Sequence, residues 1–179
     1  MNLRKAQPGD LAAVAAIYEE AKAALREQGV DQWQDGYPNE ASARADLKAG
    51  TCFVLTEDGG VVATACLDFG NEPTYDAIFE GAWQGDDKNY GFLHRVAVSG
   101  KIKGRGAASL FFEELKRQAA ARGVTTLRGD THRDNLPMQR AMEKNGFRRR
   151  GIIHLEDGSE RLAYEFLIRG GVRDLTSTA

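Results

Sequence analysis

A glycine-rich basic turn separates an apolar segment from an amphipathic one. Residues 93–98 are Leu-His-Arg-Val-Ala-Val, and residues 101–106 are Lys-Ile-Lys-Gly-Arg-Gly. Where a strand, a turn and a helix follow one another, backbone N–H groups converge and the helix dipole favours negative charge. Glycines also let an anion approach the main chain closely. The turn matches neither the P-loop nor the GxGxxG dinucleotide pattern. It predicts a site for a phosphate-containing ligand, and a solvated basic turn is the alternative.

Histidine is the side chain best suited to proton transfer near neutral pH, and the chain has 3 of them. His94 lies two residues before Val96, so strand alternation predicts both side chains on one face unless a bulge intervenes. A packed, silent histidine is the alternative for His94. His132 follows a predicted short strand and stands two residues after Asp130. Either residue could bind a substrate or serve only the chemistry of the turn. His154 falls in a late predicted strand.

Hydrophobic periodicity predicts the elements that position these residues. Apolar residues recur at helical spacing over residues 11–25 and 108–119, and strand patterns cover residues 51–56 and 61–69. Residues 75–83 could also form a short helix. The predicted order is strand, two helices, three strands, helix, strand, helix and two strands. Such an order indicates an α/β or α+β domain around a mixed sheet.

Length and charge exclude several classes of protein. A chain of 179 residues fits one domain, predicted over residues 1–170 with a loose polar tail over residues 171–179. The 24 basic and 26 acidic residues give a net charge of −2, which argues against a general nucleic-acid-binding protein. The uncharged apolar stretch over residues 11–18 is too short to span a bilayer. A membrane partner is therefore not expected.

The 2 cysteines are too few for a disulfide scaffold, which favours a reducing compartment and a soluble, cytoplasmic protein. Cys52 and Cys66 are predicted to lie near each other across a hairpin. They are either two small buried residues or a regulatory thiol pair. The histidines, cysteines and carboxylates nowhere show metal-ligand spacing, so no metal is expected.

Two segments in register resemble a known family. Lys101, Gly104 and Gly106 follow a strand that ends in Ala-Val. This pattern resembles the acyl-CoA-binding motif (Q/R)-x-x-G-x-(G/A) of the GNAT acetyltransferase superfamily, with lysine where glutamine or arginine is usual. Residues 135–147 resemble the N-x-x-A-x-x-x-Y-E-K-x-G-F signature of a later helix and strand in that family. The predicted order of elements over residues 1–168 is also similar to the family's.

The resemblance implies a GNAT fold, in which a central, mixed but mostly antiparallel sheet of about seven strands is flanked by about four helices. It also implies an N-acetyltransferase that uses acetyl-CoA and no metal. The acetyl group would pass to the amine of a small molecule by direct attack in a ternary complex. The alternatives are a protein or peptide N-acetyltransferase and a non-catalytic acyl-CoA sensor.

The family's motifs imply roles for matching residues of this chain. The amide of Val96 is expected to stabilise the thioester oxyanion, Val98 to bond the pantetheine arm, and Asn135 to lie near that arm. Backbone amides are expected to hold the pyrophosphate, from Lys103, Gly104, Arg105, Gly106 and Ala107. Arg140 or Lys144 could reach a 3′-phosphate, or could simply form a solvated helix face.

The resemblance also bears on proton transfer. Residues 93–98 resemble the L-H-A-L-A-V strand of arylalkylamine N-acetyltransferases, which implies that His94 is a base or proton relay. Met142 departs from the family, where a tyrosine general acid is frequent. Tyr164, a water molecule or departure of an unprotonated thiolate would then complete the step.

In this family the acceptor is usually selected by the first two helices, their loop and the last strands. The candidate acceptor-binding residues are Trp33, Tyr37, Asp130 and His132. The two aromatic residues could wall the pocket, with Asp31 or Asp35 attracting a cationic amine, or could only anchor the loop to the core. The segment 70–88 could cover the cleft or form a dimer contact, so a homodimer is one open outcome.

Overall fold

The computed structural model describes residues 1–102 and 104–168, which form seven strands and four helices in the predicted order. The strands are β1 (Asn2–Lys5), β2 (Cys52–Glu57), β3 (Gly60–Phe69), β4 (Tyr90–Val98), β5 (Thr126–Thr131), β6 (Arg148–His154) and β7 (Glu160–Leu167). The helices are α1 (Leu11–Glu27), α2 (Glu40–Ala49), α3 (Ala107–Ala121) and α4 (Leu136–Lys144). The predictions for Lys103 and for a tail over residues 171–179 lie outside the described residues.

The seven strands form one sheet in the order β1-β2-β3-β4-β5-β7-β6. Strands β4 and β5 are parallel, and the other neighbouring pairs are antiparallel. This arrangement confirms the predicted mixed, mostly antiparallel sheet. The single parallel pair lies in the middle, where helix α3 provides the crossover connection that parallel strands require.

The helices cover both faces of the sheet. Helices α3 and α4 pack on one face, in a core that includes Val96 and Leu127. Helices α1 and α2 pack on the other face, against Val54 and Ala97. Strand β4 therefore contributes to both cores. In the described part of the chain, no helix is long and apolar enough to cross a membrane.

The short helix considered for residues 75–83 does not form. Only a 3₁₀ turn forms, at Pro73–Tyr75, and an irregular segment follows it. Tertiary contacts hold this segment: Phe79 bridges Ile152 on β6, and the buried Glu165 carboxylate accepts from two of its amides at 3.0 and 3.1 Å. These partners replace the bonds that a helix would supply, and local periodicity carries no information about them.

The predicted proximity of the two cysteines is confirmed. Cys52 and Cys66 are opposite each other in the β2–β3 ladder, and both are free and buried. Burial raises the pKa of Cys66 to about 11 and also raises the pKa of Cys52. Because the thiolate is the reactive form, the structure favours two small core residues over a regulatory thiol pair.

A β-bulge interrupts strand β4. His94 pairs with Cys66 and Ala97 with Thr64, so two residues of β4 face one residue of β3. At the bulge Arg95 has φ +53°, a left-handed conformation that is strained for a residue with a side chain. As a result, Val96 enters the core beneath α3, whereas the His94 ring packs against aromatic residues on the other face. A shared face was expected only for a regular strand, and the bulge places the two side chains on opposite faces.

An ion pair holds the bulge in place. The Arg95 Nε and Nη2 atoms donate to the two carboxylate oxygens of Asp46 on α2, at 2.8 and 2.7 Å. The Nη1 atom donates to the Tyr37 hydroxyl at 2.5 Å. The Arg95 and Asp46 side chains are only 14% and 11% exposed. Removing either one would leave its partner charged and largely desolvated.

We therefore expect Asp46→Ala to lower the free energy of unfolding by about 3 kcal/mol, because a buried charge loses its partner. Glu40→Ala is the matched control, since Glu40 lies on the same helix and pairs with Arg44 in solvent. Its cost should stay below about 1 kcal/mol. Urea denaturation measures both values, and equal losses in the two variants would contradict the role given to the buried pair.

Candidate active site

A cleft opens where strands β4 and β5 separate. Their ladder joins residues 90–93 to residues 126–129, and both strands continue beyond it. The cleft has a volume of about 900 Å³ and is lined by residues 93–98 of β4. It also reaches the first turns of α3 and α4 and the loop between α1 and α2. Irregular backbone thus meets two helix N-termini at one site.

Residues predicted to bind a phosphate lie at one end of this cleft. Gly104 has φ +79° and Gly106 has φ +75°, conformations that favour glycine. Gly106 is the N-cap of α3, and Ala107 follows as the first helical residue. All three line the cleft. The first amides of a helix have no carbonyl partner within it, so this end of the cleft offers N–H donors to an anion.

The Arg105 side chain stabilises the turn through an ion pair with Glu57. Its guanidinium donates to both carboxylate oxygens of Glu57, at 2.6 and 2.9 Å. Its amide donates to the Ile102 carbonyl at 3.3 Å. The predicted donation from the Arg105 amide to pyrophosphate would therefore require that bond to break. Lys144 lines the cleft and remains a candidate for a phosphate contact.

Val96, Val98 and Asn135, the residues expected along a pantetheine arm, all line the cleft. The Asn135 amide, however, is already engaged at both ends. Its oxygen accepts from the Met138 amide at 3.2 Å, and its nitrogen donates to Gln32 at 2.9 Å. Asn135 thus caps α4 and fastens the α1–α2 loop.

His94 lies at the other end of the cleft beside two carboxylates. Its Nε2 atom is 3.7 Å from the nearer oxygen of Glu72, and its ring contacts Tyr75 edge-on. The Tyr75 hydroxyl donates to Asp130 at 2.8 Å. Burial raises the pKa of Asp130, and this effect exceeds the opposing influences of His94 and Tyr75. The His94 ring therefore lies at the same end of the cleft as the carboxyl groups of Glu72 and Asp130.

The residues predicted to bind the acceptor, Trp33, Tyr37, Asp130 and His132, all line the cleft. Tyr37 and Trp33 line the cleft, but Tyr37 also binds Arg95 and Trp33 packs edge-on against Tyr18. Each aromatic residue therefore both lines the cleft and anchors the α1–α2 loop to the core. His132 lines the cleft too, while its Nδ1 accepts from the Asp134 amide at 3.2 Å, which is turn chemistry.

The structure narrows the choice of a general acid. Met142 is buried and lines the cleft, but its side chain carries no acidic proton. Tyr164 is fully buried, and its hydroxyl donates to Glu143 at 3.3 Å. Burial raises the pKa of Tyr164 to about 12. His154 packs on the exposed Phe79 ring, outside the cleft lining.

Three residues of the site were missed by sequence reasoning: Glu72, Arg95 and Gln32. Arg95 gave a usable signal, because a charge inside an apolar strand needs a buried partner. Glu72 and Gln32 lie in loops and gave none. Among the described residues, no group of three or more histidines, cysteines and carboxylates is placed to hold a metal ion.

Asp130→Asn should raise the free energy of unfolding at pH 7. The folded-state pKa of Asp130 is raised, so ionisation above that pKa penalises the folded state; asparagine still accepts from Tyr75. The gain in stability should vanish below about pH 4, where the carboxyl is protonated in both the folded and the unfolded state. Asp157→Asn is a control with the opposite expected sign. Hydrogen bonds from Ser159 lower the pKa of exposed Asp157, so this substitution should lower the free energy of unfolding at pH 7. Thermal melts across pH measure both, and a loss of stability in Asp130→Asn would contradict the assignment.

Comparisons with known proteins identify the family of this chain. Residues 14–147 match the model of the acetyltransferase (GNAT) family. A GNAT-family acetyltransferase from Streptococcus agalactiae 2603 is 35% identical, with a TM-score of 0.84, over 94% of this chain and 96% of that one. A search of curated protein sequences gave no match.

More distant structures share the fold. An N-acetyltransferase from Staphylococcus aureus Mu50 is 22% identical, with a TM-score of 0.67, over 94% of this chain and 98% of that one. A ribosomal-protein-alanine N-acetyltransferase from Brucella melitensis is 21% identical, with a TM-score of 0.68, over 93% of this chain and 99% of that one. The family match, the related structure and the cleft agree: this chain belongs to the GNAT family of acetyltransferases and is an acyltransferase.

Proposed function

We propose that the protein transfers an acetyl group from acetyl-CoA to the amine of a small molecule, by direct attack in a ternary complex. The observation that carries this proposal is the continuous cleft from the α3 N-terminus, past Val96, to His94. One end suits phosphates and the other holds a base beside carboxylates. Use of acetyl-CoA as the acetyl donor is a property of the family.

The residues present fit acetyl-CoA. The positive-φ backbone of Gly104 and Gly106 leaves the main chain open, since a Cβ atom at either position would meet nothing within 4 Å. Amides of the first α3 turn would hold the pyrophosphate. The backbone of Val98 would bond the pantetheine arm. When bound, acetyl-CoA supplies an acetyl thioester, whose C–S bond breaks as the new C–N bond forms.

His94 and Val96 would share the catalytic work. His94 Nε2 takes the proton that the acceptor ammonium must lose before attack, and Glu72 at 3.7 Å stabilises the imidazolium that forms. The Val96 amide donates to the oxygen on which negative charge develops. Because Met142 offers no proton, the thiolate would leave unprotonated, which an ordinary thiol pKa of about 8.5 permits. The second proton that the nitrogen loses as the amide forms would then pass to solvent.

The segments around His94 support a small-molecule acceptor. The α1–α2 loop and residues 72–74 border the cleft near His94, together with Arg161 on β7. These segments line the position that an amine would occupy beside the base. A peptide would need an open groove there. An acceptor panel of amines, amino acids, polyamines and short peptides separates the two cases.

His94→Ala should lower kcat about 100-fold, as expected for loss of a general base, without weakening acetyl-CoA binding. Thiol release and product mass measure turnover, and calorimetry measures binding. His154→Ala is the matched control, because that histidine lies outside the cleft lining. Unchanged turnover in His94→Ala would remove it as the base. Acetyl-CoA binding without turnover on any amine would favour a sensor instead.

Gly106→Ala should weaken acetyl-CoA binding about 10-fold, because its Cβ would stand where the pyrophosphate approaches the backbone. Gly59→Ala is the control. Gly59 has φ +80° in the β2–β3 turn, and its Cβ would likewise meet nothing within 4 Å. Both substitutions should cost about 1 kcal/mol of stability from backbone strain. Equal acetyl-CoA affinity in the two variants would contradict the assigned phosphate site.

A further inference from the structure

A buried glutamine faces the cleft from the α1–α2 loop. Gln32 is only 9% exposed and lines the cleft beside Trp33. Its backbone is held, since its carbonyl accepts from Gln34 Nε2 at 2.9 Å. A buried amide of this kind normally has every polar atom paired.

The hydrogen-bond network fixes which way the Gln32 amide points. A backbone N–H can only donate, so the bond from the Met138 amide identifies the acceptor as Asn135 Oδ1. Asn135 Nδ2 must then be the atom that donates to Gln32, at 2.9 Å. The receiving atom is therefore Gln32 Oε1, which also accepts from Thr131 Oγ1 at 3.4 Å.

The remaining atom, Gln32 Nε2, carries two N–H donors. Within residues 1–102 and 104–168, Gln32 Nε2 makes no hydrogen bond, and it is not among the fully buried unpartnered atoms. Since Gln32 lines the cleft, we take this nitrogen to reach the cleft space. Its orientation is set in advance by the cap of α4, so it would bind a ligand without reorganising.

We propose that Gln32 Nε2 selects the acceptor by donating to an oxygen atom that the acceptor carries beside its amine. The substrate class is then an amine that bears a carboxylate, carbonyl or hydroxyl oxygen. The neighbouring Tyr37 binds Arg95 next to His94, which puts this loop on the acceptor side. The inference rests on the proposed function. A site with a buried donor discriminates against ligands that leave the donor unpaired.

Gln32→Glu tests the donor directly. Glutamate keeps one oxygen for Asn135 and Thr131, and replaces the cleft-facing N–H donors with a second oxygen. We expect kcat/KM for oxygen-bearing amines to fall about 30-fold, with the acetyl-CoA dissociation constant unchanged. Gln32→Met removes the donor without adding charge and should show the same loss of acceptor preference. Because it also removes the oxygen that accepts from Asn135 and Thr131, it should lower the free energy of unfolding as well. Gln118→Glu makes the same chemical change on α3, remote from the cleft lining, and should have no effect.

Acceptor pairs complete the test. Each amino acid and each amino acid amide is compared with the amine that lacks the oxygen group. The wild-type protein should prefer the oxygen-bearing member, and Gln32→Met should lose that preference. Wild-type turnover without any preference overturns this inference alone. A weaker acetyl-CoA affinity in Gln32→Met with unchanged acceptor ranking also overturns it. Absence of turnover with every amine overturns the proposed function and this inference with it.

Discussion

The Arg95–Asp46 ion pair is the interaction on which the rest of the site depends. It stabilises a residue with φ +53° in the middle of β4 and so maintains the bulge. In a regular strand His94 and Val96 would face the same side. With the bulge, Val96 enters the core under α3, and His94 lies at the end of the cleft where we propose that the acceptor binds. The backbone between them is then available to a ligand in the gap beside β5.

The two ends of the cleft are built from different physical elements. The end proposed for the pyrophosphate relies on main-chain donors, which need only glycine conformations and a helix start. The end proposed for the acceptor relies on side chains held by long-range contacts: Asp130 through Tyr75, and Gln32 through Asn135. This division explains why a short motif is enough to propose the first site, whereas the proposal for the second requires the folded chain.

The limits of sequence reasoning follow the same division. Strand and helix order was predictable, because caps such as Asn39 and periodic apolar faces are local signals. The β4 bulge was not predictable, since Asp46, which pairs with Arg95 at the bulge, is 49 residues away in the chain. The orientation of Gln32 depends on Asn135, 103 residues away. A helix after Tyr75 was considered from periodicity and does not form, because β6 and β7 supply partners for this backbone that leave no local signal.

The central claim is that the gap between β4 and β5 binds acetyl-CoA with its thioester beside Val96. A crystal structure with a stable acetyl-CoA analogue tests this most directly. We expect the pyrophosphate at the amides that begin α3, and the analogue's carbonyl oxygen within hydrogen-bond distance of the Val96 amide. An analogue bound elsewhere, or one whose carbonyl lies away from β4, would show that this gap is not the acetyl-CoA site.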